Sequence, residues 1–424
     1  MSTNLQLCGS ITETRLTYTD LINDLASGCK PKNKWKIGVE LEQFAFNVQT
    51  HAALPYEGKP GIRMFLKHLA ENYNWQIVTE NSLPIALRKN GISITLEPGG
   101  QIEYSGSPVS SVMESVGELD GFLEELYAAA YDCGIDFLNT GLHPTWSRED
   151  IHWMPKGRYI IMREYMQKKG QHGLDMMMRS CGTQLNLDFQ SEEDMVKKFR
   201  VCLALQPFIV ALMTSSSMLD GKDTGYVSNR SFVWTDTDPD RCGGVPFVFE
   251  DDMSFEKYVD YALDVPMYFV LRDGQYMDTA GLSFRDFMDG KLPGFEGQYP
   301  TLSDWHDHIS TLFPEVRLKH YLELRAADSN TPDMVHAMTA FWIGALYNQN
   351  TLDTLHDLVM SWPETTYDIL TQHTRQYGLD DHADLVFKPR DMTEKILKIA
   401  KDGLPSEQEK ALLQPFFEKL SQEG

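Results

Sequence analysis

From Ile37 to Glu42 the chain alternates in type. Ile37, Val39 and Leu41 are apolar, and they interleave with Gly38, Glu40 and Glu42. Successive side chains of a strand point to opposite faces, so a strand here packs one face only by gathering carboxylates on the other. A second segment, Leu96-Glu97-Pro98-Gly99-Gly100-Gln101-Ile102-Glu103, sets acidic residues beside apolar ones around a turn-compatible Pro-Gly-Gly. Like charges a few Å apart at a protein surface repel by about 4 kcal/mol at an effective dielectric of 20. That is a large share of a domain's net stability of roughly 5–15 kcal/mol. Such a face needs cations or protons, and hard oxygen donors favour Mg²⁺ or Mn²⁺.

The remaining periodicities place these strands in an α+β architecture. Ile62, Phe65, Leu66 and Leu69 have helical spacing and lead into a strand-like Trp75 to Thr79. Ser111 and Glu114 form a capping-box pattern ahead of a long amphipathic helix through Val112, Val116, Leu119, Leu123, Leu126 and Ala130. Ile92 to Leu96 and Gln101 to Ser105 read as a hairpin. Gln184, Asn186 and Asp188 share one face of a further strand, and Ser191 opens a helix that Pro207 is expected to kink or end. Arg317 to Arg325 reads as the last strand, with Lys319, Tyr321, Glu323 and Arg325 on one face. After Asp328 the pattern is helical. Strands separated by helical insertions, with hairpins among them, imply an antiparallel sheet rather than a parallel doubly wound one.

With 61 acidic against 38 basic residues the net charge is −23, which disfavours nucleic acid and anionic membranes as partners. A small-molecule partner is expected. No apolar run approaches the ~20 residues that span a bilayer, and the first 34 residues, with Glu13, Asp20 and Asp24, have no apolar signal core. The cysteines Cys8, Cys29, Cys133, Cys181, Cys202 and Cys242 are scattered without a CxxC pair, which suits a reducing compartment. Cys181 reads as a small buried hydrophobe. His306 and His308 form a short His-x-His that is a weak zinc signal without further ligands. No GxxxxGK[ST] loop is present, so no Walker-type site is expected.

The words Leu96 to Gln101, Met154 to Tyr159, Gly173 to Arg179, Trp234 to Asp238, Tyr261 to Tyr268 and Phe313 to Lys319 occur in order along the chain. From about Lys36 to about Gly403 it resembles the plant-type branch of glutamate–cysteine ligase, which plants share with many proteobacteria. The resemblance implies a glutamine-synthetase-like catalytic domain, with a curved, mainly antiparallel sheet flanked by helices. It implies ATP and Mg²⁺, with Mn²⁺ as a substitute, and transfer of the glutamate γ-carboxylate to the cysteine amine through γ-glutamyl phosphate.

By the same resemblance Glu40, Glu42, Glu97, Glu103 and Glu323 are metal ligands, with Gln184 a weaker one. Arg325 and Arg179 are assigned to catalysis, Arg325 by stabilising charge on the transferring phosphoryl group. Lys156, Arg158 and Arg163 are assigned, like Arg179, to nucleotide phosphates or a substrate carboxylate, and Arg230 to the glutamate α-carboxylate. Thr279, Gly294 and His336 stand where plant members carry regulatory cysteines, so that redox switch is expected to be absent. Residues 1–34 read as an extension, 35–403 as one catalytic unit and 404–424 as a helical tail, in a cytosolic monomer or homodimer. The competing readings are a related ligase with another amine acceptor and a noncatalytic nucleotide-binding relative.

Overall fold

The computed structural model describes residues 15–381 and 385–422. Cys8 and Glu13 lie outside the described residues. Among the described residues nine strands form one sheet: β1 (Ile37–Asn47), β2 (Gln76–Glu80), β3 (Leu83–Lys89), β4 (Ile92–Leu96), β5 (Ile102–Ser105), β6 (Ile135–Leu138), β7 (Gly182–Leu187), β8 (Val316–Leu318) and β9 (Leu322–Asp328). The order is β8-β9-β7-β1-β5-β4-β3-β2, with β6 also on β1, and every pairing is antiparallel. The α+β expectation, with an antiparallel sheet flanked by helices, matches this architecture.

The sheet divides by chemistry as the alternation requires. Ile37, Val39, Leu41, Leu185, Leu187, Leu322, Leu324, Ile94, Leu96, Ile102 and Tyr104 are buried on one side. The helices Ile62–Tyr73, Val112–Cys133 and Glu192–Leu212 pack against the sheet. The opposite face carries Arg317, Glu323, Arg325, Gln184, Asn186, Glu40, Glu42 and Glu103, brought side by side by the strand registers. Helix Pro332–Leu346 forms a further layer against Val112–Cys133 and Pro389–Gly403. It crosses the latter so closely that a Cβ on Gly344 would lie 2.1 Å from the Ala400 carbonyl oxygen. No described helix is long and apolar enough to cross a membrane.

Three local expectations change. The run Arg317 to Arg325 is a hairpin, β8 and β9, turning at Lys319-His320-Tyr321, so Arg317 sits across from Glu323. The helix after Ser191 continues past Pro207 to Leu212, because residues 201–212 are buried all round and tertiary packing outweighs the missing N–H. At the N-terminus of Val112–Cys133 the Ser111 hydroxyl accepts from the Glu114 amide as expected, but the Glu114 carboxylate accepts from the Ser110 amide at 2.7 Å, one residue before the cap.

Candidate active site

The polar face opens into a cleft of about 720 Å³, lined by Glu40, Glu42, Glu97, Glu103, Gln184, Arg230, Glu323, Arg325 and Arg158, with Tyr159, Trp234 and Phe313 among the aromatic walls. Glu42 on β1 is directly opposite Glu103 on β5, and Glu40 is directly opposite Gln184 on β7. Side chains directly opposite in an antiparallel pair have Cβ atoms about 4.5–5.5 Å apart, a spacing at which like charges destabilise. Glu97 follows β4 at the turn whose Gly100 has φ +84°, a conformation that glycine adopts freely.

Hydrogen bonds hold these carboxylates in place. The Gly182 backbone N–H donates to Glu42 Oε2 at 2.6 Å and the side-chain Gln184 Nε2 donates to Glu42 Oε1 at 3.2 Å. Asn186 Nδ2 donates to Glu40 Oε1 at 3.0 Å, and the Thr95 hydroxyl donates to Glu103. Gln184 is a strut between the two kinds of charge, since its carbonyl oxygen accepts from Arg325 Nη1 at 2.6 Å.

The electrostatics differ along the cleft. Burial, then the neighbouring Glu97 and Glu103, pushes the Glu42 carboxyl up to about 8. Burial and Glu103 push Glu97 up to about 7. Glu40 is also raised, by burial and by Glu103 and Glu323. At the other end burial works against Glu323 ionising, yet Arg317, Lys319 and Arg325 together hold it well below the usual carboxylate range. Arg317 Nε donates to Glu323 Oε2, Lys319 Nζ lies 3.1 Å from Oε1, and Arg325 Nη1 lies 3.3 Å from Oε2. The raised group is therefore a set of oxygen donors short of positive charge, which fits a hard divalent cation.

Arg230 and Arg325 are joined by a β-bulge. Leu324 pairs with Leu185 but Ala327 pairs with Thr183, so β9 carries one extra residue at Arg325-Ala326. The two carbonyls released there accept from Arg230: Ala326 at 2.8 Å and Arg325 at 3.1 Å. Gly182 permits the approach, because a Cβ there would lie 2.6 Å from Arg230 Nη2. Asp328, beyond the bulge, accepts from the hydroxyls of Ser216 at 2.7 Å and Ser228 at 3.2 Å. Ser228 caps the short helix Asn229–Val233 that carries Arg230.

Other residues singled out from the sequence do not line the cleft. Lys156 donates to the Leu96 carbonyl at 2.7 Å and is not a lining residue of the cleft. Arg163 is exposed with its guanidinium 4.7 Å from the Trp153 ring. Arg179 is buried between Asp175 at 3.2 Å and Asp220 at 2.6 Å, a structural tie outside the lining. Cys181 is buried and its thiol is pushed well up by burial, as befits a core residue. His308 is buried against the Ala262 carbonyl at 2.8 Å, facing away from any partnership with His306. Sequence reasoning missed Arg317 as the main partner of Glu323, because nothing in Lys319-His320-Tyr321 marks the turn that brings them together.

A second cavity of about 460 Å³ adjoins the cleft and shares Trp234, Phe313 and Arg325 with it. Glu315 and Arg375 bring opposite charges to its wall. The Glu315 carboxyl is raised by burial and accepts from the Tyr367 hydroxyl at 2.8 Å.

Comparison with known proteins agrees with this arrangement. The family described as glutamate-cysteine ligase family 2 (GCS2) matches residues 36–419. A chloroplastic glutamate–cysteine ligase of Brassica juncea is 48% identical over 390 residues, 92% of this chain and 75% of that protein. Glutamate–cysteine ligase B of Oryza sativa subsp. japonica, also chloroplastic, is 47% identical over 389 residues, covering 92% and 78%. A crystal structure of a glutamate–cysteine ligase from Francisella tularensis in complex with AMP shares the fold at a TM-score of 0.54 and 13% identity, over 93% of this chain and 83% of that one. The cytosolic placement expected from the N-terminus is corrected by the curated relatives, which are described as chloroplastic. With the family matched across most of its length and the carboxylate cleft at its centre, the chain belongs to glutamate-cysteine ligase family 2.

Proposed function

We propose that this chain uses ATP to join the γ-carboxylate of glutamate to the amine of cysteine, giving γ-glutamylcysteine, the first step of glutathione synthesis. The observation that carries the reading is the cleft's mixed charge: the raised carboxylates Glu42 and Glu97 share one lining with the guanidinium groups of Arg230 and Arg325, in a chain of this family. A carboxylate is a poor acyl donor because oxide is a poor leaving group. Its attack on the γ-phosphorus of ATP breaks the bond to ADP and makes an acyl phosphate. The neutral cysteine amine then forms the amide bond as inorganic phosphate leaves.

Glu40, Glu42, Glu97 and Glu103 are the residues that would hold Mg²⁺ or Mn²⁺. The ions, when bound, neutralise charge on the nucleotide phosphates. Glu323 does a different job. Already neutralised by three cations, it fixes Arg325 at the sheet surface, where a planar guanidinium suits a phosphoryl group. Arg230, held by the bulge carbonyls, is suited to the glutamate carboxylate, and Arg158 adds positive charge to the same wall. The adjoining cavity, with Arg375 for a carboxylate and Glu315 for an ammonium, has the charge pattern of an amino-acid zwitterion.

The test is ADP release by the purified protein with ATP, Mg²⁺ and glutamate, comparing cysteine, 2-aminobutyrate, alanine and no acceptor, with the product identified by mass. Cysteine-dependent ADP release with γ-glutamylcysteine as product is the expected result. Release only with another acceptor would keep the chemistry and change the substrate; no release with any acceptor would overturn the reading.

A further inference from the structure

We propose that Asp24, His306 and His320 form a binding site for one divalent transition-metal ion of the zinc class, separate from the carboxylate cleft. The three residues come from three separate elements, the helix Tyr18–Ala26, the helix Leu302–Ser310 and the turn between β8 and β9, with Asp24 far from both histidines along the chain. Their donor atoms all lie within 4.8 Å of one another. Both imidazoles aim Nε2 at a single oxygen, Asp24 Oδ1, at 2.9 Å for His306 and 3.1 Å for His320. The Asp24 side chain is 8% exposed, whereas the histidines are 42% and 41% exposed, so the group is anchored from below and open to ion and water from above.

Two of the three donor spacings are close to those around a bound ion. Zinc bonds of about 2.0–2.1 Å in tetrahedral coordination put neighbouring donors about 3.4 Å apart. The two histidine-to-aspartate distances therefore open by only about 0.3–0.5 Å to admit the ion. Two imidazoles and one carboxylate, with water in the fourth position, are a common zinc donor set, and imidazole discriminates against Mg²⁺. The ion takes the Nε2 lone pair of each neutral imidazole, whose ring hydrogen then sits on Nδ1.

The backbone has already brought these elements together. A Cβ on Gly28, just after the first helix, would lie 2.6 Å from the His320 Cα, so the chain passes directly against the turn. An ion at this point fastens the N-terminal helix to the turn that carries Lys319, a partner of Glu323.

The experiment is calorimetric titration of zinc into the metal-stripped full-length chain in excess Mg²⁺, which occupies the oxygen-only cleft. Expected are one equivalent of zinc bound and a zinc-dependent rise in melting temperature. In H306N/H320N the affinity should fall by more than about 100-fold, beyond what loss of an outer hydrogen-bond partner costs. The zinc-dependent rise in melting temperature should vanish while ligase turnover in Mg²⁺ is unchanged. D24N, isosteric and with both imidazoles in place, should weaken zinc in the same direction and guards against a misfolded double variant. Zinc uptake unchanged in both variants, or no stoichiometric uptake by the wild type, would overturn the site.

Discussion

The two ends of the cleft handle buried negative charge in opposite ways. Glu323 is paired inside the chain, with Arg317, Lys319 and Arg325 around it, and is held ionised. Glu42 and Glu97, with Glu103 beside them, have Arg230, Lys156 and Arg158 nearby, yet burial and mutual repulsion still raise them to about 8 and about 7. Folding alone completes the first end. The second end is left short of positive charge, and that shortage makes it a place for imported cations. A buried ion pair is weak evidence for stability and better evidence for a fixed geometry. Here the geometry fixed is that of Arg325.

The largest effect expected from this contrast is on turnover. Glu42→Gln and Glu97→Gln should each lower kcat by on the order of 10²–10³, the scale of losing one preorganised electrostatic element, with the circular dichroism spectrum unchanged. Steady-state kinetics across a Mg²⁺ series measures it, and turnover near the wild-type level would break the comparison at its raised end.

Next is the internally paired end. Arg317→Met strands Glu323 with its strongest partner gone, and urea unfolding should show a loss of about 3–5 kcal/mol, the usual result of unpairing a buried ion. Arg317→Met with Glu323→Leu should recover much of that loss. A single variant as stable as the wild type would show that Lys319 and Arg325 suffice.

A pH series sharpens the same point. The folded, metal-free protein binds the Glu42 proton more tightly than the unfolded chain, where the group titrates near its ordinary 4.5. This contribution to stability is full below the unfolded value and is lost as pH rises through the folded value of about 8. In chelator, the melting temperature of Glu42→Gln should gain on that of the wild type as pH rises from about 5 to about 8. Mg²⁺ should stabilise the wild type more at the upper end. A constant difference between the two proteins would place no raised carboxyl at this position.

The smallest effect is expected at Arg163. Its guanidinium rests on Trp153, so Arg163→Ala should cost about 0.5–1 kcal/mol of stability in thermal unfolding and leave kcat unchanged. A large fall in kcat would return Arg163 to the site.

What was legible in the sequence follows from which interactions are local. The alternation in β1 is a property of adjacent residues, so the carboxylate face could be read directly, and the hairpin around Pro98-Gly99-Gly100 likewise. The partnership of Arg317 with Glu323 was hidden because alternation continues unbroken through Lys319-His320-Tyr321, although the backbone reverses there. Arg158, Arg163 and Arg179 lie within a short span, yet only Arg158 lines the cleft. Which side of a helix meets the sheet is decided by tertiary packing, which these words do not encode. Asp24 and its two histidines are nearly three hundred positions apart and carry no pattern at all.

The extra residue in β9 acts as a change of phase. Up to Arg325 the odd-numbered side chains of that strand face the cleft; beyond it Ala327 pairs with Thr183, and the parity is reversed. The strand therefore counts its residues, and the count holds Arg325, the carbonyls that grip Arg230 and the Asp328 that secures Ser228 in a single frame. Deleting Ala326 would remove no functional side chain, yet it would misplace all three. An insertion elsewhere in β9 would be equally disruptive.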